Sequence, residues 1–292
     1  MKYNPTLIGS SAILMWSLLA LVTSKIIDIP QFQLLALTFT VGGIIGLLFV
    51  AKKGKAGFLK LKQPPLAWII SVGGLFGYHF FYFTALANAP VADASLIAYL
   101  WPLLIVFFSA FLPGERLLWN HVLGALIGLG GATLLVVGEG DFSFSSEYTF
   151  GYLAAVGCAI TWSLYSVLNR TQKDIPTEAV AGFCLMTALL AAISHFLTEQ
   201  WVSPTSEQWM AIIALGIGPV GAAFYAWDYG TKHGNIRLLG VLSYGTPLLS
   251  TIILTLSGTS EATMTLAIAC ILITAGALIA SLEHFKKKAT VL

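Results

Sequence analysis

Tyr99-Leu100-Trp101-Pro102-Leu103-Leu104 and Tyr244-Gly245-Thr246-Pro247-Leu248-Leu249 are one motif written twice, 145 residues apart in a chain of 292. Upstream, Trp16-Ser17-Leu18 returns as Trp162-Ser163-Leu164 and Asp28-Ile29-Pro30 as Asp174-Ile175-Pro176, both at an offset of 146. Downstream, Glu115 and Gly130 match Glu261 and Gly276, again at 146, so one single-residue indel explains the slip. The offset is half the chain. Residues 1–146 and 147–292 therefore read as two copies of one unit.

The material between these landmarks is apolar. Hydrophobic residues make up 57% of the chain and charged ones only 10%, where an average soluble domain carries about a quarter charged. Runs of about 20 apolar residues, the length that crosses a bilayer core, fall near 6–24, 31–51, 66–87, 91–112, 121–138, 151–169, 177–198, 208–231, 237–257 and 263–282. They lack the short alternation of barrel strands, and lipid cannot satisfy open backbone groups, so each is expected to be a helix. The fold class is an all-α polytopic membrane protein of ten transmembrane helices. With the N-terminus inside, fourteen of the fifteen Lys/Arg residues fall in inner segments and only Lys25 outside. A wrong helix count would scramble that segregation, which places both termini in the cytoplasm.

Five spans per copy is an odd number, so the second copy enters the membrane from the opposite side. Such inverted pairs let one half be closed while its twin is open, and exchanging the two states moves a central site from face to face. The expectation is alternating access.

Other classes are excluded by absence. The net charge of +2 comes from lysine clusters between apolar runs, a pattern of membrane orientation and lipid contact, not of nucleic-acid binding. Cys158, Cys184 and Cys270 lie scattered in apolar runs, with neither disulfide nor metal spacing. Lys2 with the apolar stretch after it imitates a signal peptide, but the recurrence of this segment at mid-chain makes it part of the fold. There is no Walker loop, zinc helix, nucleophile elbow or dinucleotide glycine signature. No cofactor, metal, ATP drive or enzymatic activity is expected.

Taken together, the Trp-Ser of the first helix, the Tyr-x-x-Pro-Leu-Leu of the fourth and the glutamates Glu115 and Glu261, each present in both halves, resemble the drug/metabolite transporter superfamily. The closest likeness is to its ten-helix carriers of two EamA-type halves, and among them to the bacterial aromatic amino-acid exporters. The resemblance covers nearly the whole chain. It implies a solute cavity near the midplane, lined by the third, fourth, eighth and ninth helices with help from the first and sixth. Those helices carry Trp16, Tyr78, His79, Tyr82, Tyr99, Trp101, Trp162, Tyr225, Ser243 and Tyr244, the candidate substrate-binding residues. The four-helix proton-coupled drug antiporters of the superfamily have a glutamate in their first helix; neither span 6–24 nor span 151–169 contains an acid.

The residues themselves support a cavity. Tyr78, Tyr82 and Ala85 share one helical face, as do Ser95, Tyr99 and Pro102, and polar-tipped aromatics suit a ring-bearing solute. Tyr99, Trp101 and Trp162 fall near midspan, whereas Trp68, Trp119, Trp201 and Trp209 sit at span ends and read as an interfacial belt. His79 is the one imidazole deep in a span, either a ligand or a histidine satisfied by a neighbour. His121, His195, His233 and His284 are expected to be solvated, and so are Asp93 and Asp228 near span ends. Pro102, Gly218, Pro219 and Pro247 are candidate hinges, because a proline in a membrane helix frees a carbonyl and bends the axis. The expected function is carrier-mediated export of aromatic amino acids or similar apolar metabolites across a bacterial inner membrane, facilitated and weakly coupled, without ATP drive or obligatory proton antiport. Export of purines, sugars or cationic drugs, or a receptor or scaffold on the same fold, are the alternatives.

Overall fold

The computed structural model describes residues 4–23, 26, 28–114, 117–137, 145–258 and 263–289. Lys2, Lys25, Arg116, Glu139, Asp141 and the paired glutamates Glu115 and Glu261 lie outside the described residues, as do the side chains of His284 and Lys286 to Lys288. Among the described residues, ten helical spans are long and apolar enough to cross a membrane: Pro5–Thr23, Gln31–Ala51, Pro65–Asn88, Val91–Ser109, Trp119–Val136, Ser146–Asn169, Thr177–Thr198, Ser206–His233, Ile236–Leu256 and Met264–Leu282. Short connections make successive spans antiparallel. One end of the bundle therefore collects Lys52, Lys53, Lys55, Lys60, Lys62, Arg170, Lys173, Lys232 and Arg237, and is called the lysine-rich end below.

The spans pack across the two halves: the first against the eighth, the third against the sixth, the second against the seventh and the fifth against the tenth. Two copies of opposite direction would pack in this way, since exchanging the halves turns the first pair into the second. Small residues set the contacts, as is usual where lipid gives helices no hydrophobic reason to associate. Gly9 meets Gly230 so closely that a Cβ on Gly230 would lie 2.4 Å from the Gly9 Cα. The offset partners of that pair, Ala155 and Ala85, are buried in one apolar cluster with Ala94 and Ala154. Between the fifth and tenth spans, a Cβ on Gly124 would stand 2.5 Å from the Gly276 carbonyl oxygen.

Four spans are interrupted, three of them at proline. The fourth divides into Val91–Ala98 and Trp101–Ser109, the ninth into Ile236–Leu242 and Gly245–Leu256. Both breaks lie just before Pro102 and Pro247, whose rings lack an N–H and crowd the carbonyl four residues back. The eighth span opens into a π-turn at Gly218–Ala222, where Pro219 removes a donor. The first span breaks without proline, at Ser17-Leu18 between Pro5–Trp16 and Leu19–Thr23. Its counterpart in the sixth span, Ser163-Leu164, stays helical within Thr149–Asn169.

Four expectations of solvation are corrected. His195 is buried because its Nδ1 faces Glu199 at 2.8 Å, and that carboxylate caps the second span by accepting from the Phe32 and Gln33 amides at 2.9 and 3.1 Å. His121 is buried because the first turn of its span lies against the tenth, where Asn120 donates to the Ile279 and Ala280 carbonyls. Asp93 is buried and accepts from the Tyr152 hydroxyl at 3.0 Å, and Asp228 is buried in an ion pair. Trp68, read as belt, instead sets its ring edge-on against Phe183 at 5.0 Å and packs on the core, while Trp119 is 70% exposed.

Candidate functional site

Between the spans lies a cavity of about 540 Å³, running from midspan toward the lysine-poor end. The floor is aromatic. Trp162 meets Trp16 edge-on at 5.6 Å, Tyr78 at 5.1 Å and Trp101 at 6.2 Å. Phe224 and Trp227 close it from beneath, with Trp16 at 6.1 Å from the first and 5.1 Å from the second. Tyr82 stacks parallel to Tyr78 at 6.0 Å and continues the third-span face up the wall. Higher up, Thr23, Gln31, Thr38, Phe83 and Ser95 line the approach. No Asp, Glu, Lys or Arg is among the described residues lining it.

The local breaks place these groups. Pro219 in the π-turn offers its carbonyl to the Trp16 indole N–H at 3.0 Å, which fixes the ring at the point where the first span itself breaks. Across the floor, Ser163 donates to the Trp101 carbonyl at 3.0 Å and thereby ties the interrupted fourth span to the sixth. The Trp162 indole N–H makes no hydrogen bond among the described residues, and its ring lines the cavity. The imidazole of His79 lies edge-on to Phe39 and Tyr78, and its Nδ1 is 2.7 Å from the Leu75 carbonyl oxygen. An Nδ1–H donated there leaves Nε2 as an acceptor.

Of the residues expected to bind solute, Trp16, Tyr78, His79, Tyr82, Tyr99, Trp101 and Trp162 line this one cavity. Tyr225, Ser243 and Tyr244 do not. Tyr225 donates its hydroxyl to the Gly42 carbonyl at 3.3 Å, Ser243 bonds back to the Leu239 carbonyl, and the fully buried Tyr244 hydroxyl accepts from the Leu103 amide at 3.1 Å. Among the hinge candidates, Pro219 and Pro247 lie in the cavity wall, and Pro102 is buried beside Trp101. The residues missed are Gln31 and Thr38 from the second span, and Phe224 and Trp227 in the floor. The two aromatics follow Pro219 on a helix already rich in rings, whereas nothing in a polar residue of an apolar run tells which way it faces.

Beneath the floor, the lysine-rich end is shut by polar groups. Asp228 and Lys232, each 1% exposed, pair at 2.7 Å. Asn169 at the end of the sixth span donates to Asp228 Oδ1, to the Asp228 carbonyl and to the Thr231 hydroxyl at 3.2, 3.3 and 2.9 Å. Thr177 at the start of the seventh span donates to Asp228 Oδ2 at 2.7 Å. The repeat offsets of 146 and 145 pair Asn169 with Thr23, Thr177 with Gln31 and Asp228 with Phe83. All three counterparts line the open cavity. The same residues of the repeat are thus in contact at one end and apart at the other.

A ten-span bundle with an aromatic midplane cavity, open at one end and latched at the other, is the build of a solute carrier. The model of the EamA-like transporter family matches twice, over residues 6–137 and 149–282, and the chain belongs to that family. It is 56% identical over 96% of its length, and 98% of the relative's, to an aromatic amino acid exporter, YddG, of Ancylobacter novellus. It is 26% identical to the exporter of the same name from Escherichia coli K12, over 85% of this chain and 87% of that one. A crystal structure of 55% identity superposes with a TM-score of 0.91, covering 95% of this chain and 97% of the other.

Proposed function

We propose that this protein exports aromatic amino acids, or similar small apolar metabolites, across a bacterial inner membrane by alternating access. The observation that carries the reading is the floor of Trp16, Trp101, Trp162 and Tyr78 at the bottom of a one-ended cavity. Rings there offer faces and edges to an aromatic side chain, and the Trp162 N–H adds a donor for a carboxylate. The names of the relatives at 56% and 26% identity point the same way. The lysine-rich end faces the cytoplasm under the positive-inside rule, so the conformation described is outward-open, with both termini inside.

The cavity wall holds no carboxylate among the described residues, and its one imidazole, His79, is tied by Nδ1 to the Leu75 carbonyl of its own helix with no acid beside it in the wall. Transport then follows the solute gradient of the cell. Counterflow of labelled phenylalanine, tryptophan and tyrosine into proteoliposomes tests the assignment. Saturable exchange above empty vesicles is expected, and exchange of none of the three would remove the aromatic substrate class.

A further inference from the structure

The two ends of the transport path differ in a way that the aromatic floor does not explain. The open cavity carries no charged side chain among the residues described there, yet the shut end holds Asp228 and Lys232, one carboxylate and one ammonium, both 1% exposed. Burying an ion pair costs several kcal/mol per charge, and the attraction repays it only where other groups complete the hydrogen bonding. Here that completion is borrowed. Asp228 takes hydrogen bonds from Asn169 and Thr177, and Lys232 donates to the Ile175 carbonyl at 2.9 Å, all from the sixth and seventh spans and their connection. Opening this end withdraws those partners from the eighth span and leaves each charge with vacant bonding capacity.

A second observation points to a ligand. Asn169 Oδ1 and both amide atoms of Gln172 are buried at this end without any hydrogen-bond partner. A spare acceptor therefore stands on Asn169, which already touches Asp228, and a spare donor–acceptor amide lies three residues on, in the connection whose Ile175 carbonyl holds Lys232. Asp228 stands four residues past Phe224, about 6 Å or one helical turn along the span from the aromatic floor.

We infer that Asp228 and Lys232, with Asn169 and Gln172, form a loading site for a zwitterion at the cytoplasmic end, Asp228 accepting from the α-ammonium and Lys232 donating to the α-carboxylate. The inference rests on the amino-acid reading proposed above. A zwitterion inserted between opposite charges leaves both balanced, whereas an amine or an acid would balance one and strand the other. The site thus selects molecules carrying both groups, and selects them on the loading side only. Once the latch re-forms, Asp228 and Lys232 return to each other and to Asn169, Thr177 and Ile175, and the solute is left in a cavity that holds its ring and offers its charges no ionic partner. Release outward follows from that loss.

The test uses the full chain in proteoliposomes, with L-phenylalanine exchange inhibited from either face by L-phenylalanine, 2-phenylethylamine or 3-phenylpropionate. At the lysine-rich face the wild type is expected to prefer L-phenylalanine by about tenfold or more, the scale of one charge-assisted hydrogen bond. At the lysine-poor face the preference is small. Because a single neutralisation strands a buried charge, the decisive variant is the double one, Asp228→Asn with Lys232→Met, which removes both charges together. It should lose the preference at the lysine-rich face, where the three compounds then inhibit the remaining exchange about equally, and keep the ranking of the three at the other face. A double variant that keeps the preference overturns the inference. So does one inactive at saturation, which would make the pair part of the framework alone. If the wild type exchanges no aromatic amino acid, it is the substrate reading that fails; if it does, and the preference survives in the variant, only the loading site falls.

Discussion

Replacing Asn169 by Ala should unlatch the lysine-rich end. The wild-type amide makes three bonds from one Nδ2, to the Asp228 carboxylate, the Asp228 carbonyl and the Thr231 hydroxyl. They are long and shared, and the one to a charged acceptor counts most, at about 1.5–3 kcal/mol. Whatever that bond contributes is present only while the end is shut. Its removal shifts the balance between shut and open by the same amount, roughly 10- to 150-fold. Asp228 keeps Lys232 and Thr177, so the helix itself should hold. The shift can be read by thiol labelling in a chain whose Cys158, Cys184 and Cys270 are replaced. Ser166→Cys reports on the shut end, where Ser166 is fully buried and accepts from the Trp227 indole, and Ser95→Cys reports on the open cavity. Asn169→Ala should raise labelling of position 166 by an impermeant reagent about tenfold or more and lower that of position 95. If both rates rise together the chain is merely loosened, and if neither moves the amide is no latch; either result defeats the reasoning.

Trp162→Phe keeps a ring in the floor but removes the indole N–H and its contacts with Trp16 and Tyr78, each about 0.5–1.5 kcal/mol; half-saturation for phenylalanine exchange should rise several-fold, while Trp119→Ala on the lipid-facing surface leaves it unchanged. Equal effects would make the floor mere packing. Gly42→Ala places a Cβ 2.9 Å from the Gly221 Cα and 3.1 Å from the Gly216 carbonyl, an overpacking of about 1–3 kcal/mol that should lower the melting temperature, whereas Gly218→Ala meets nothing within 4 Å and should leave it within error. An imposed pH gradient of either sign should not drive accumulation of substrate in proteoliposomes, and His79→Gln should change affinity without creating or abolishing such drive; accumulation lost in that variant would make His79 the coupling group.

What the sequence made legible follows from periodicity. Span number and bounds rest on runs of about 20 apolar residues, and the structure begins its second, fourth and seventh spans at Gln31, Val91 and Thr177, where hydropathy begins them. The prolines mark their breaks by a local steric rule, so Pro102, Pro219 and Pro247 can be read without a partner in view. Burial at span ends cannot. Asp228 and His121 sit where hydropathy falls, and only a neighbouring span decides whether water or Asn169 or the tenth helix meets them, while His195 meets Glu199 four residues on, a carboxylate held in place by amides of the second span. The same holds for Tyr244, which matches Tyr99 in the repeat yet packs under Gly128 and holds the Leu103 amide, while Tyr99 lines the cavity.

That last contrast carries the mechanism. Tyr99 and Tyr244 descend from one position, as do Ser17 and Ser163, and Asn169 and Thr23, but the members of each pair make different contacts. Ser163 holds the Trp101 carbonyl, while Ser17 bonds back to Leu14 and the hydroxyl of Thr246, the offset partner of Trp101, is buried without a partner. An inverted repeat caught in one conformation must break its symmetry somewhere, and it breaks where partners are exchanged. On the alternating-access reading proposed above, the positions that differ between halves are the moving ones, and those that agree, Gly9 against Gly230 and the co-buried Ala155 and Ala85, are the fixed pairs about which they turn. In the opposite state Ser17 should reach the Thr246 carbonyl as Ser163 now reaches that of Trp101, and Thr23 should close on the third span as Asn169 now closes on the eighth. The closure would not be equivalent in strength, because Phe83 stands where Asp228 would be. An apolar gate on one side and a charged latch on the other leave the form open at the lysine-poor end, the outward-open one in the proposed orientation, the better bonded of the two when no solute is bound.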